Sequence, residues 1–355
     1  MTQVLVLGGT AWLGARVAAA WLTRGAQVTC LARGTSGPVP RGATLVRADR
    51  STARAYDGVV GQDWDEVVEL SYVPSLVSGA LEALASRARH WTLVSTISVY
   101  AGTSEPGATE DAALLPAEDL EDYGQAKVAA EANTRQALGD RLLVARPGLI
   151  GGPGDGSDRF GYWVSRFALA HRRGDGPVLV PPTAGRWGQV IDVDDLATWL
   201  AAAAEAGQHG TVNAVGEPHP LQEVLGLAAQ VAGYDSEVVT APDAWLLEHG
   251  VTYWAGPRSL PLWLPMADAA VAQRDDSAFR ASLAALGLTL SPLPATTERT
   301  SADERLRGLD RPRRSGLDRG EELELLARFG TRASDGQPVS TMGSTAADPG
   351  QEPRR

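Results

Sequence analysis

The feature that most constrains this chain is its opening. An apolar run at residues 4–7 stops at Gly8-Gly9-Thr10, and apolar residues then recur at helical spacing through Leu13, Val17, Ala20 and Trp21. That change of period across glycines predicts a strand, a tight turn and a helix. The same alternation continues, with strands expected at 28–31, 44–47, 67–70, 91–95 and 142–146 and the strongest helix at 123–138. Strands that alternate with helices are joined by right-handed crossovers. The expected fold class is therefore α/β, a doubly wound parallel sheet that receives ligands at the carboxyl ends of its strands.

Further along, 188–200 passes from strand to helix, 211–215 reads as a short strand, and prolines 181, 182, 218 and 220 break the pattern before a helix at 221–232. This divides the chain into a dinucleotide-binding domain over 1–185, to which 188–215 returns, and a smaller C-terminal substrate lobe over 216–330 with 156–187. Residues 331–355 are polar and rich in Gly and Pro, the composition of a disordered tail. A length of 355 residues, 44% hydrophobic, carries both parts.

One cysteine, Cys30, forms no internal disulfide and builds no metal site, so no metal is expected. The formal charge of −11 argues against a nucleic-acid partner. The longest apolar stretch, 196–206, falls short of the roughly 20 residues a membrane span needs, and no basic-then-apolar leader opens the sequence. The reading is of a cytoplasmic protein with a small-molecule substrate and no membrane partner.

Gly8, Gly9 and Gly14 sit where the first strand becomes the first helix, so backbone N–H groups there can receive a pyrophosphate. Thr10, Ala11, Trp12 and Leu13 complete that turn, with Ala11 in place of a middle glycine. The second strand ends Cys30-Leu31-Ala32-Arg33 without an acid. An arginine there suits a 2′-phosphate, so NADP is expected in preference to NAD.

Tyr123 and Lys127, four apart on a helix, share one face. A nearby ammonium stabilises a phenolate, which a tyrosine needs to act as a base near neutral pH. Lys127 is the one lysine in a chain with 31 arginines. The fifth strand ends in Ser95, Thr96 and Ser98, any of which can hold a substrate oxygen beside Tyr123. In the second lobe, Arg159, Tyr162, Trp163 and Arg186 combine cations with flat aromatic surface that suits a sugar or polar ring. Trp254 and Trp263 read as packing residues, and the arginine-rich stretch 305–319, interspersed with acids, as a solvated face.

Together these residues resemble the short-chain dehydrogenase/reductase superfamily, in its extended branch of NAD(P)-dependent epimerases, dehydratases and reductases. The resemblance covers about residues 3–215 through GGTAWLG, VSTISVY, YGQAKVAAE, RPGLIGGPGD and VIDVDDLA. It implies a Rossmann domain, Thr96 as the catalytic hydroxyl, Tyr123 as acid/base and Lys127 as its partner. It also implies Asp49 beside the adenine amino group, Pro147 and Ile150 beside the nicotinamide, and a homodimer paired through the 123–138 helix.

The activity first implied is a reductase-like hydride transfer between nicotinamide and a carbonyl or secondary alcohol of a small polar or sugar-like substrate. A nucleotide-sugar epimerase or dehydratase with tightly held NAD is the alternative. Ile97-Ser98 stands where a dehydratase usually has Asp-Glu, and Gly188 where nucleotide-sugar members commonly carry an arginine. The GGTAWLG turn is also similar to atypical members that act as dinucleotide-sensing or RNA-associated regulators.

Overall fold

The computed structural model describes residues 1–334. Its first half alternates regularly: β1 (Gln3–Leu7), α1 (Trp12–Thr23), β2 (Gln27–Ala32), β3 (Thr44–Arg47), β4 (Trp64–Glu69), α2 (Pro74–Leu84), β5 (Ala88–Val94), α3 (Tyr123–Leu138) and β6 (Leu142–Ala145). The second half is more broken. It begins with β7 (Leu149–Gly151), α4 (Phe160–Arg173), β8 (Val178–Val180), β9 (Trp187–Asp192), α5 (Val193–Glu205), β10 (Gly210–Val212) and β11 (Pro218–Pro220). It continues through α6 (Leu221–Ala232), β12 (Val238–Thr240), α7 (Asp243–Glu248), β13 (Thr252–Trp254), β14 (Ser259–Pro261), α8 (Ser277–Ala285), α9 (Leu293–Arg307) and α10 (Arg319–Ser334).

Seven strands form one parallel sheet in the order β10-β6-β5-β4-β1-β2-β3. β1 explains why its sequence is uniformly apolar. Val4 and Val6 face a core with Val17 and Trp21 of α1 and Leu196 and Trp199 of α5. Leu5 and Leu7 face the opposite core with Val77 and Leu84 of α2 and Ala130 and Leu138 of α3. A parallel strand covered on both faces has no polar side to show. The strand order reverses between β1 and β4, and crossovers diverging from that point leave a crevice beyond their carboxyl ends.

The smaller lobe has its own core, in which Trp163 and Phe167 of α4 meet β8, α6 and Trp263. β9 pairs with β7 and β11 in a three-stranded sheet, while the helix that follows it packs on α1 and β10 joins the main sheet beside β6. The tail expected from residue 331 needs correction at its start, because α10 runs on to Ser334; the rest of it lies outside the described residues. Among the described residues no helix is long and apolar enough to cross a membrane.

Candidate active site

Gly8 has φ +98°, a left-handed conformation that glycine adopts without a Cβ penalty. A Cβ on Gly14 would lie 2.4 Å from the Gly8 carbonyl oxygen, and one on Gly9 would lie 2.4 Å from Cys30 Sγ. These glycines bring α1 against β1. Ala11 is the N-cap of α1 and offers no side-chain acceptor, so the N–H groups of the first turn stay available to an anion. Thr10 is buried just before it, and Trp12 donates from Nε1 to the Pro153 carbonyl at 2.9 Å.

Two cavities meet at this turn, sharing Ala11 and Leu70. One, of about 630 Å³, is lined by Gly8, Thr10, Arg33 and Asp49. The other, of about 840 Å³, runs from Trp12, Leu13 and Gly14 past Thr96, Ser98, Pro147 and Ile150 to Tyr123 and Arg159. The uncapped helix start between two adjoining cavities offers the room and the open donors that a dinucleotide needs. Asp49 accepts from Ser51 N at 3.0 Å and from Ser51 Oγ at 2.7 Å. Those bonds, with a smaller contribution from Arg33, hold its carboxyl below the usual carboxylate range.

The hydroxyls at the end of β5 separate by their partners. Ser95 Oγ donates to Glu131 at 2.5 Å, and Glu131 is gripped side-on by Nε and Nη2 of Arg146 at 2.9 and 2.7 Å. Ser95 is thereby committed to the core. Thr96 caps the short turn after β5, its Oγ1 accepting from Ser98 N at 3.1 Å and donating to Ser98 Oγ at 3.2 Å. Tyr123, the first residue of α3, presents its ring to the larger cavity, edge-on to Tyr72 with centroids 5.1 Å apart. Burial in that cleft pushes the phenol pKa up, and the Thr96 hydroxyl and the Arg159 charge work against it.

The hydrogen bonds of Lys127 go to the main chain and none goes to the Tyr123 phenol. Lys127 is 2% exposed, and Nζ donates to the carbonyls of Val94 at 2.6 Å, Ser71 at 3.1 Å and Leu70 at 3.4 Å. Burial brings its pKa down to about 8, opposed by the charges of Glu69 and Glu131. Three strand-end carbonyls take up all three ammonium protons.

In the substrate lobe only part of the expected set reaches the cavity. Arg159 does, immediately before α4. Tyr162 and Trp163 do not: they are buried in the lobe core, where Trp163 Nε1 donates to the Pro261 carbonyl at 2.8 Å. Arg186 is also turned away, donating to the carbonyls of Leu264 at 2.9 Å and Pro182 at 3.0 Å and pairing with Asp243. Trp254, expected to pack, instead lines the cavity, and the Arg159 guanidinium lies over its ring 5.1 Å from the centroid. The stretch 305–319 is no solvated face. Arg319 is buried, and Arg307, Arg311 and Arg313 converge on Asp158 and Glu304. Among the described residues no cluster of His, Cys, Asp and Glu could hold a metal ion.

Residues 4–216 match the family model described as the NAD dependent epimerase/dehydratase family. A dTDP-6-deoxy-L-talose 4-dehydrogenase (NAD(P)(+)) of Kitasatospora kifunensis is 28% identical over 268 residues, 68% of this chain and 83% of that protein. Among solved structures, the UDP-glucose 4-epimerase of Thermus thermophilus in complex with NAD superposes with a TM-score of 0.62 at 22% identity, over 86% of this chain and 99% of that one. The UDP-glucuronic acid 4-epimerase of Bacillus cereus in complex with NAD gives 0.62 at 14% identity, over the same shares.

These findings overturn the expected preference for NADP, since both of those epimerases hold NAD and the curated relative is named for either cofactor. The physical reason lies in the smaller cavity, where Arg33 is exposed and shares the wall with the Asp49 carboxylate, so its charge does not face a 2′-phosphate alone. With its parallel sheet, its glycine turn and a model match over more than half its length, the chain belongs to the NAD-dependent epimerase/dehydratase family.

Proposed function

We propose that this chain is an NAD-dependent enzyme that oxidises a secondary alcohol of a sugar-nucleotide-like substrate and returns the reducing equivalent to the same molecule, as an epimerase does. The observation that carries this reading is that Tyr123 and Thr96 line one cavity with the uncapped first turn of α1. The two solved structures are named as epimerases of UDP-sugars and support the epimerase reading, while the curated relative is named as a dehydrogenase of a dTDP-sugar; all three names support a sugar-nucleotide-like substrate.

In this reading the first turn of α1, with Gly8, Gly9 and Gly14, would hold the pyrophosphate, Arg33 and Asp49 the adenosine half, and Pro147 and Ile150 the nicotinamide side. When bound, NAD supplies the hydride acceptor. Tyr123 Oη moves the proton of the substrate hydroxyl, and Thr96 Oγ1 orients that hydroxyl. Lys127 ties the ends of β4 and β5 to α3 through its three carbonyl contacts, which fixes Tyr123 at the cavity wall. Ser98, exposed beside Thr96, is left for the substrate.

The test is incubation with a panel of UDP- and dTDP-hexoses, following both the sugar configuration and the nicotinamide absorbance. An epimerised sugar with no net reduction of NAD is expected. Stoichiometric accumulation of reduced NAD with a keto-sugar would replace the epimerase reading with a dehydrogenase.

A further inference from the structure

Tyr123 lines the larger cavity with 44% of its surface exposed, so the core does not lock its ring. Lys127 does not hold the ring either, because its bonds end on main-chain carbonyls. The ring that meets Tyr123 is Tyr72, itself 44% exposed, edge-on at 78° with centroids 5.1 Å apart. Tyr72 lines the smaller cavity, so the pair stands where the two cavities adjoin. An edge-on contact sets the positive edge of one ring against the negative face of the other, and favours the held rotamer by about two- to tenfold.

A ring can brace its neighbour only if its own footing is fixed. Tyr72 lies in the turn 70–73 that joins β4 to α2. Two of the Lys127 bonds end in that turn, on the Leu70 carbonyl at 3.4 Å and the Ser71 carbonyl at 3.1 Å. From the other side Ser71 N donates to Glu69 Oε1 at 2.7 Å, and Val73 N donates to Ser71 Oγ at 3.1 Å. Glu69 is fully buried and held by Arg50, whose Nη1 reaches Oε1 at 3.0 Å. Tyr123 and Lys127 lie one helical turn apart on α3, and they meet neighbouring residues of this one turn.

We infer that Tyr72 is a positioning residue for Tyr123: Lys127 of α3 fixes the 70–73 turn, and that turn returns the Tyr72 ring against the tyrosine at the start of the same helix. The contact is made by the ring and not by the Tyr72 hydroxyl, which forms no hydrogen bond among the described residues. This rests on the reading of Tyr123 as the group that moves the substrate proton, and it names what aims that phenol at Thr96.

The experiment is nuclear magnetic resonance of the full chain labelled on its seven tyrosine rings and on its threonine methyl groups, for the wild type, Tyr72→Ala and Tyr72→Phe. The Overhauser contact between the Tyr123 ring and the Thr96 methyl is assigned by its loss in Tyr123→Phe and in Thr96→Ser. It should be present in the wild type, fall about twofold or more in Tyr72→Ala, and stay near wild type in Tyr72→Phe, which keeps the ring. Tyr72 is half exposed, so the remaining tyrosine signals should hold their positions in both variants. Absence of the contact from the wild type, equal intensity in wild type and Tyr72→Ala, or a loss in Tyr72→Phe as large as in Tyr72→Ala overturns the brace. A parallel titration with NAD keeps the two failures apart, since a wild type that binds no NAD overturns the underlying reading while the spectra decide the brace.

Discussion

On the nucleotide side of the cavity the shaping contacts are made by backbone atoms close in sequence: Gly8, Gly9 and Gly14 within a single turn, and an N-cap that leaves its donors open. On the substrate side they are made by charged side chains that reach across the chain. Arg311 pairs with Asp158 across 153 residues, and Arg307 donates to the Asp155 carbonyl at 2.8 Å across 152. The first wall tolerates little change of shape, while the second depends on charge balance. Tyr123 stands between them, on the first helical residue of α3, and depends on both.

The largest effect is expected where the walls meet. Tyr123→Phe should lower turnover by about 10²–10⁴-fold with little change in NAD affinity, since only the transferable proton is lost. Steady-state kinetics beside an NAD titration checks this, and retained turnover would remove Tyr123 from the chemistry. Glu304→Gln comes next. Glu304 is 1% exposed and receives Arg307, Arg311 and Arg313, so the variant should lose about 3–5 kcal/mol in denaturant unfolding by leaving Asp158 alone to balance three cations.

A smaller loss is expected on the other wall. Gly14→Ala places a methyl against the Gly8 carbonyl and should cost about 1–3 kcal/mol together with NAD affinity. Gly156→Ala, in the substrate loop with nothing within 4 Å of its Cβ, should stay within about 0.5 kcal/mol of wild type. Equal losses at the two glycines would erase the contrast between shape and charge.

The smallest effect is a pH dependence far from both walls. His90 faces Glu66 at 2.5 Å through Nδ1 and the Gln208 carbonyl at 2.8 Å through Nε2. Burial opposes its charge, but these two acceptors prevail and the pKa is raised. The charged ring therefore adds stability that is fully present below about pH 6.5 and lost as pH rises through the folded value. Melting curves across that window should slope downward in the wild type and flatten in His90→Gln.

The same division decides what could be read from the sequence. β1 to β6, the glycine turn and α3 follow local periodicity, and each was legible within a few residues. Tyr162 and Trp163 were misjudged from residue type. With Arg166 and Phe167 they continue one helical spacing along α4, a core pattern available in the sequence. Trp254 offered no such signal, because its left-handed backbone and its contact with Arg159 depend on residues 95 positions away. Arginines interspersed with acids look alike on a solvated face and in a buried network. Only the approach of Asp158 and Glu304 separates the two. The spacing of Tyr123 and Lys127 was legible, but the three carbonyls that claim Lys127 come from the ends of other strands.

The most direct test of the account is the titration of the purified chain with NAD and with NADP, preceded by release and identification of any nucleotide carried through purification. Tighter binding of NAD, or NAD as the released nucleotide, is the predicted result. Tighter binding of NADP, or binding of neither, would contradict an NAD-dependent site between these two walls.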